Sequence, residues 1–549
     1  MTIVKQFGLG MGLVVGLRED MNFPMSFRFG GLVSVILSVL SLCYPRAQEV
    51  GGAFRQTARP VLIRNEHNSL LQLRIECPQP DVMLRSIELV LDGVEALESV
   101  QFYGTGDEGN LSPAKTFGER LPARASLRVR GHTRLERGVN HFWLSSRVRP
   151  NANLTQGVDA RVIAIHTSVG VIAPLDETPL VRKRIGIALR RHWDDGVHTY
   201  RIPALGITPK GTLLCVYDMR RRKRKDLQED IDIGLLRSTD QGQTWGPQQV
   251  VMDMGNYGGL GQEVNGCSDP GIIVDPATGE VFCFALWMHQ KAGKHQWGDD
   301  GSEKGLAIGK SAQFMMIRST DDGKTWTKPQ NMTSMWKRPE WILYAPSPQG
   351  GIALRDGTLV MPTEGRDEND RRFSNLLISQ DHGRTWTVSP IAARESTECQ
   401  VVQLADGSMM LNGRSDRPVK FRTVMVTRDQ GQTWKPHETN RKSLIGPNCN
   451  GSLLRFDYQD GGRSQSVLLF ANPYSQERRK HHSIQVSFDE GKTWPSAHRL
   501  LLDEGSGNGY PSLIRIDERH VGIVYEGSGA QLVFEKIPID DLVKRPRGS

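Results

Sequence analysis

From about residue 50 onward the apolar residues fall in short runs, and Gly, Asp, Asn and Pro take the positions between them. A 3.6-residue apolar stripe is hard to find there, so the pattern predicts strands and turns rather than helices. Two kinds of strand pattern divide the chain. Between residues 50 and 181 apolar and polar positions alternate, as in Ser86-Ile-Glu-Leu-Val-Leu91 and Asn140-His-Phe-Trp-Leu-Ser145. Sheets that pack one face on a core read this way, and the segment is expected to be a β-sandwich. Val181-Arg-Lys-Arg184 marks the junction with the remainder of the chain.

Over residues 182–549 the runs are more continuous, and each comes after a turn. They are Gly211–Tyr217, Gly279–Ala285, Gly357–Met361, Gly407–Leu411, Ser466–Ala471 and His520–Tyr525. A second repeat lies between them. Ser238–Trp245, Ser319–Trp326, Ser379–Trp386, Thr427–Trp434 and Ser487–Trp494 all read Ser/Thr-x-Asp-x-Gly-x-Thr-Trp, with starts 81, 60, 48 and 60 residues apart. Such a segment suits a hairpin corner: the Asp carboxylate accepts from turn N–H groups, the Gly supplies φ > 0 and the Trp packs the turn down. Spacings of this size match one four-stranded sheet per repeat, so the expected fold is all-β, a six-bladed β-propeller preceded by the sandwich. The sixth unit lacks the corner, as a blade closed by strands from both chain ends would.

Composition adds limits. A formal net charge of +8 on 549 residues attracts anionic substrates without implying nucleic acid, whose binders concentrate charge on one face. None of the seven cysteines forms a C-x-x-C pair, which argues against structural zinc, and Cys215 and Cys283 sit in apolar runs as buried small hydrophobes. Residues 1–48 carry Arg28, the apolar run Leu32–Cys43 and Ala47, a signal-peptide pattern too short to span a bilayer. Export is therefore expected, with no stable membrane span.

Ionisable residues gather just past the ends of the six strands: Arg220 after the first, Arg414 after the fourth, Arg479 after the fifth and Glu526 at the end of the sixth. Equivalent strand ends of a propeller meet at one mouth of its channel. Several arginines there suit a carboxylate, which a guanidinium fork binds bidentately.

With the corner motifs, Tyr200-Arg-Ile-Pro203 and Gly509-Tyr-Pro-Ser-Leu513, residues 190–545 resemble the bacterial exo-sialidases (neuraminidases) with Asp-box (BNR) repeats. The resemblance implies a retaining exo-α-sialidase that acts on sialylated glycans without metal or organic cofactor. It also implies a role for each matching residue. Arg201, Arg414 and Arg479 match the clamp for the substrate carboxylate, with Arg478 competing with Arg479. Tyr510 matches the nucleophile, Glu398 its base and Asp226 the acid/base, with Asp230 and Asp232 as alternatives. Arg220 matches a contact to the ring substituents, and Glu526 the partner of Arg201. A tyrosine suits this chemistry because a carboxylate nucleophile would approach the like charge on the anomeric carbon.

Two features sit uneasily with these roles. Arg220-Arg-Arg-Lys-Arg-Lys225 runs directly into Asp226, and nearby cations favour the ionised form of a group that must donate a proton. Ala345-Pro-Ser-Pro-Gln-Gly-Gly351 stands where related enzymes carry a glycine-rich wall of the pocket, while Ser268-Asp-Pro270 resembles another wall motif. Two other readings of the fold are a non-catalytic sialoglycan-binding propeller and an enzyme that transfers the sugar to an acceptor other than water or acts on a related nonulosonic acid.

Overall fold

The computed structural model describes residues 49–544, apart from 107–108, 180, 290–294, 296, 299–300 and 419. The expected leader, residues 1–48, lies outside the described residues.

The alternating segment forms two facing sheets. One runs in the order Leu175–Asp176, Gly51–Arg55, Asn68–Cys77, Gly138–Val148, Leu97–Gly106 and Thr116–Pro122. The other holds Ser126–Arg134, Met83–Asp92 and Gly157–Thr167. Alternate side chains of both, among them Leu73, Ile75, Phe102 and Leu144 against Ile87, Leu89, Val162 and Ile165, share one apolar core.

Six antiparallel blades come after the sandwich. Their inner strands are Thr199–Ile207, Cys267–Val274, Leu343–Pro346, Ser396–Gln403, Ser452–Asp460 and Pro511–Arg515, neighbours of one another around the ring. Their second strands are Leu213–Arg220, Val281–Trp287, Leu359–Arg366, Met409–Ser415, Arg463–Pro473 and His520–Tyr525. Second strands are covered on both faces by neighbouring blades, which is why their sequences are continuous apolar runs. All eight residues of Leu213–Arg220 are buried, and so are all eight of Leu359–Arg366.

The last blade closes the ring. Its outer strand, Lys183–Arg190, comes from before the first blade and pairs antiparallel with Leu532–Pro538, Ile187 opposite Phe534. The other edge of the same strand pairs in parallel with Val61–Ile63, and Lys183 and Arg184 pair with Val158 and Gly157. One hydrophobic cluster accordingly runs from Val61 and Leu154 through Ile185 and Leu189 to Tyr217 and Phe534. Sandwich and propeller share a sheet and a core, without a seam.

The five corners have one geometry. In the first, Thr244 N and Oγ1 donate to the two Asp240 oxygens at 2.9 and 2.5 Å, Gly242 N donates to Ser238 Oγ at 2.8 Å, and Trp245 Nε1 reaches Gly242 O at 3.2 Å. Gly242 has φ 86°. The Thr–Asp–Trp contacts recur at Asp321, Asp381, Asp429 and Asp489. Trp245 and Trp386 pack toward the preceding blade, and Trp494 lies against Phe470 of its own. Trp386, for example, lies edge-on to Phe282 and Phe284 with ring centroids 5.6 and 5.7 Å away.

The six described cysteines are free and buried. Among the described residues no helix is long and apolar enough to cross a membrane.

Candidate active site

Antiparallel pairing puts the start of each inner strand beside the end of its second strand. Arg201 pairs with Asp218, Cys267 with Trp287, Ser396 with Ser415 and Pro511 with Tyr525, so these ends share one mouth. Three inner strands break register there, between Arg201 and Ala204, Ser268 and Gly271, and Ser396 and Cys399. Such bulges re-aim side chains at the rim of a sheet. Ile202 (φ 56°) and Asp269 (φ 58°) sit in the first two. A left-handed conformation costs a β-branched residue about 1–2 kcal/mol, which surrounding bonds must offset. At Ile202 the backbone N–H donates to Glu526 Oε1 at 2.8 Å.

Tyr510 stands at the centre. Its hydroxyl donates to Glu398 Oε1 and accepts from Arg414 Nη1 at 3.1 Å. The guanidinium carbons of Arg201 and Arg479 lie 5.1 and 5.3 Å from its ring centroid, so three arginines surround one phenol. Each is held from behind. Arg201 makes a two-pronged contact with Glu526, 3.0 Å on both bonds, and Glu526 also accepts from Tyr510 N at 3.1 Å. Arg414 reaches Glu398 Oε2 at 2.9 Å and Asn448 Oδ1 at 2.8 Å. Arg479 donates to the carbonyls of Asn508 and Asn448 at 2.8 and 3.3 Å. Adjacent Arg478 is exposed, so of the two candidates Arg479 faces the pocket.

Burial, followed by the Glu398 charge, pushes the Tyr510 phenol well above its usual value, while Arg414 and Arg479 pull it down. The resting phenol is therefore neutral and already hydrogen-bonded to a base. Glu526 is held below the usual carboxylate range: burial opposes ionisation, but Arg201 and two backbone N–H groups outweigh it.

A second cluster flanks this one. Arg220, fully buried, donates to Asp218 Oδ2 at 2.9 Å and to Asp226 Oδ1 at 3.0 Å from the same nitrogen. Asp218 Oδ1 accepts from Asp269 N at 3.1 Å, tying the first blade to the second. His295 Nε2 lies 3.9 Å from Asp226 Oδ2. Burial alone would raise the Asp226 carboxyl, yet Arg220, His295 and Arg201 outweigh it and hold the group low. Asp218 has the opposite fate, and burial pushes it up to about 7 despite Arg220. Asp269 and Glu364 are also raised, by burial and then by neighbouring carboxylates.

The basic run turns out to be mostly neutralised within its own loop. Arg221 meets Asp232 at 2.5 Å, Arg222 meets Asp230 at 3.6 Å, and Lys223 and Lys225 meet Glu229 at 2.8 and 3.6 Å. Asp230 and Asp232, the alternatives to Asp226, are thereby occupied as partners of the run.

Sequence reasoning missed Asp218, Glu364 and Asn448 as parts of this site. Asp218 and Glu364 lie near the ends of second strands, the signal that singled out Arg220 and Arg414, but nothing local in the sequence set them apart. The Ala345–Gly351 stretch is packed between blades: Ser347 Oγ bonds both Cys399 N and Cys399 O, and Pro348 O accepts from Gln400 Nε2 at 3.1 Å.

Known proteins resemble this chain over most of its length. Residues 211–524 match the model of the BNR repeat-like domain, and residues 53–169 match that of the N-terminal domain of BNR-repeat neuraminidase. A sialidase of Bacteroides fragilis (strain YCH46) is 36% identical over 521 residues, covering 89% of this chain and 95% of that protein. One from Micromonospora viridifaciens is 33% identical, covering 61% of this chain and 51% of the relative. Among solved structures, Hadza microbial sialidase Hz136 superposes with TM-score 0.84 at 32% identity, over 89% of this chain and all of that one (100%). Trypanosoma rangeli sialidase, at 18% identity and TM-score 0.52 over 65% of this chain and 58% of that one, shares the fold.

Proposed function

The chain belongs to the BNR-repeat sialidase family of glycoside hydrolases, and on that premise we propose that it releases terminal sialic acid from glycans with retention, through a glycosyl bond to Tyr510. The observation that carries this reading is the Tyr510–Glu398 hydrogen bond set among Arg201, Arg414 and Arg479. Three guanidiniums converge where a carboxylate on the anomeric carbon would sit, and the phenol lies among them.

In the first step the Tyr510 oxygen bonds to the anomeric carbon as the glycosidic C–O bond breaks. Glu398 takes the phenolic proton, and Asp226 gives its proton to the leaving oxygen. In the second step Asp226 takes a proton from water, whose oxygen replaces Tyr510 on the anomeric carbon. Glu398 then returns the proton to the departing phenolate. A phenol carries no charge into the attack, so the substrate carboxylate does not repel it.

Asp226 must be protonated in the first step, although Arg220, His295 and Arg201 favour its ionised form in the free enzyme. Bound substrate changes both sides of that balance. Its carboxylate offsets the Arg201 charge, and its rings exclude water from a group whose burial already favours the neutral acid. The resulting preference is for acidic pH.

The test is hydrolysis of a fluorogenic α-sialoside with the anomer of the first-formed product read by proton NMR. Wild type is expected to release the α-anomer, and Tyr510→Phe to lose at least a thousandfold in kcat. Release of the β-anomer first, or full activity in Tyr510→Phe, would remove the tyrosyl step. Failure to cleave any sialoside would remove the whole reading.

A further inference from the structure

A polar groove of about 600 Å³ begins at Asn508 and includes Arg224, Gly529, Gln531, Arg191 and His192 in its lining. Asn508 joins this groove to the pocket. Its carbonyl holds Arg479 Nη1 at 2.8 Å, while its side-chain Oδ1 accepts from Arg224 Nη2 at 2.7 Å. Arg224 also stands two residues before Asp226, the group assigned to protonate the leaving oxygen. The groove thus lies beside the pocket and is lined by the loop that carries Asp226.

Its charge is one-sided. No lining residue is Asp or Glu, and two are arginines. Arg191 is paired with Asp194 at 3.2 Å. Arg224 differs from every neighbour in the basic run: Arg221, Arg222, Lys223 and Lys225 each face a carboxylate, whereas Arg224 is exposed and meets only the neutral amide of Asn508 among the described residues. One guanidinium of the loop is thus left with donors to spare, and it is the one that lines this groove. An exposed guanidinium with unused donors is a site for a carboxylate or a sulfate.

We infer that Arg224 receives an anionic group on the leaving sugar, so that the enzyme favours sialic acid linked to a second acidic sugar over sialic acid linked to a neutral one. The inference rests on the hydrolytic reading above and names the substrate class of the same site. A carboxylate on a second sialic acid and a sulfate ester on galactose share this chemistry, and the substrates separate them.

The experiment compares kcat/KM on three sialosides: sialyl-lactose, α2,8-linked disialyl-lactose and a sialoside of 6-sulfated galactose. Wild type is expected to favour at least one acidic leaving group about tenfold over sialyl-lactose, mainly through KM. In Arg224→Gln that preference is expected to fall to within twofold, whereas Lys223→Gln, which removes a cation already paired with Glu229, retains it. Preference for the disialyl substrate alone identifies the carboxylate, and for the sulfated one alone the sulfate. A wild-type ratio within twofold of unity on both, or an unchanged ratio in Arg224→Gln, overturns the inference while leaving the hydrolase in place. Loss of cleavage on all three by wild type overturns both.

Discussion

Each blade has two ends, and they are built on opposite principles. At the corner end five turns repeat one set of bonds, and their aspartates keep a low pKa: hydrogen bonds from the Thr hydroxyl and backbone N–H hold Asp321, Asp381 and Asp429 near 2. At the mouth no two blades offer the same set of side chains. Blade one contributes Arg201, Asp218 and Arg220, blade four Glu398 and Arg414, and blade six Tyr510 and Glu526. Charges there are buried and two bulge residues have positive φ. Repetition at one end secures the scaffold, and this leaves the other end free to hold strained and mutually repelling groups.

Replacing a mouth residue should strike activity and spare the fold. Asp226→Ala is expected to lose 10²–10⁴-fold in kcat on sialyl-lactose, about 3–5 kcal/mol of barrier, and far less on an aryl sialoside whose phenol leaves unaided. Equal losses on the two substrates would mean that Asp226 does not protonate the leaving oxygen.

A corner residue should do the reverse. Trp386→Ala removes the indole lying on Phe282 and Phe284, and about 2–3 kcal/mol of stability should go with it, seen as a lower denaturant midpoint with KM unchanged. A changed KM with an unaltered midpoint would join the two ends that the structure separates.

The smallest effect is a difference in sign with pH. Corner aspartates stabilise the fold above the unfolded-state pKa of about 4, and that contribution is lost as pH falls toward 2. Asp218, raised by burial to about 7, acts oppositely: between pH 4 and 7 it is ionised in the unfolded chain but protonated in the fold, so stability declines as pH rises. Unfolding free energy from denaturant titrations across this range should show the decline in wild type, of order 1 kcal/mol per pH unit, and a flatter profile in Asp218→Asn. An identical slope in both proteins would take Asp218 out of the account.

The contrast between the two ends also decides what could be read from sequence. Corners are legible because the turn needs a carboxylate, a glycine and a tryptophan at fixed places within eight residues. Six apolar runs were legible because covering both faces of a strand leaves no room for alternation. At the mouth, Arg201, Asp226, Glu398 and Tyr510 were found through resemblance to a family, since nothing local in a sequence brings residue 201 to residue 510. Residue-by-residue matching left Arg478 beside Arg479, and only the strand after them settles which side chain turns inward. Asp218 comes directly after an apolar run, and one polar residue there gives no sign of its partners. The basic run misled for a similar reason: its charges are adjacent in sequence, but Asp230, Asp232 and Glu229 return along the same loop to meet them.

The closing strand has a further consequence, for the order of events during synthesis. Val61–Ile63, which pairs in parallel with one edge of Lys183–Arg190, is synthesised before it. Its other edge waits for Leu532–Pro538, more than three hundred residues later. Contacts this distant in sequence form late and slowly. Arg201 is likewise made early, while its supporting Glu526 and neighbour Tyr510 belong to the final blade. The candidate site is thus assembled by the same event that shuts the ring, and a nascent chain lacks it until the last blade is made.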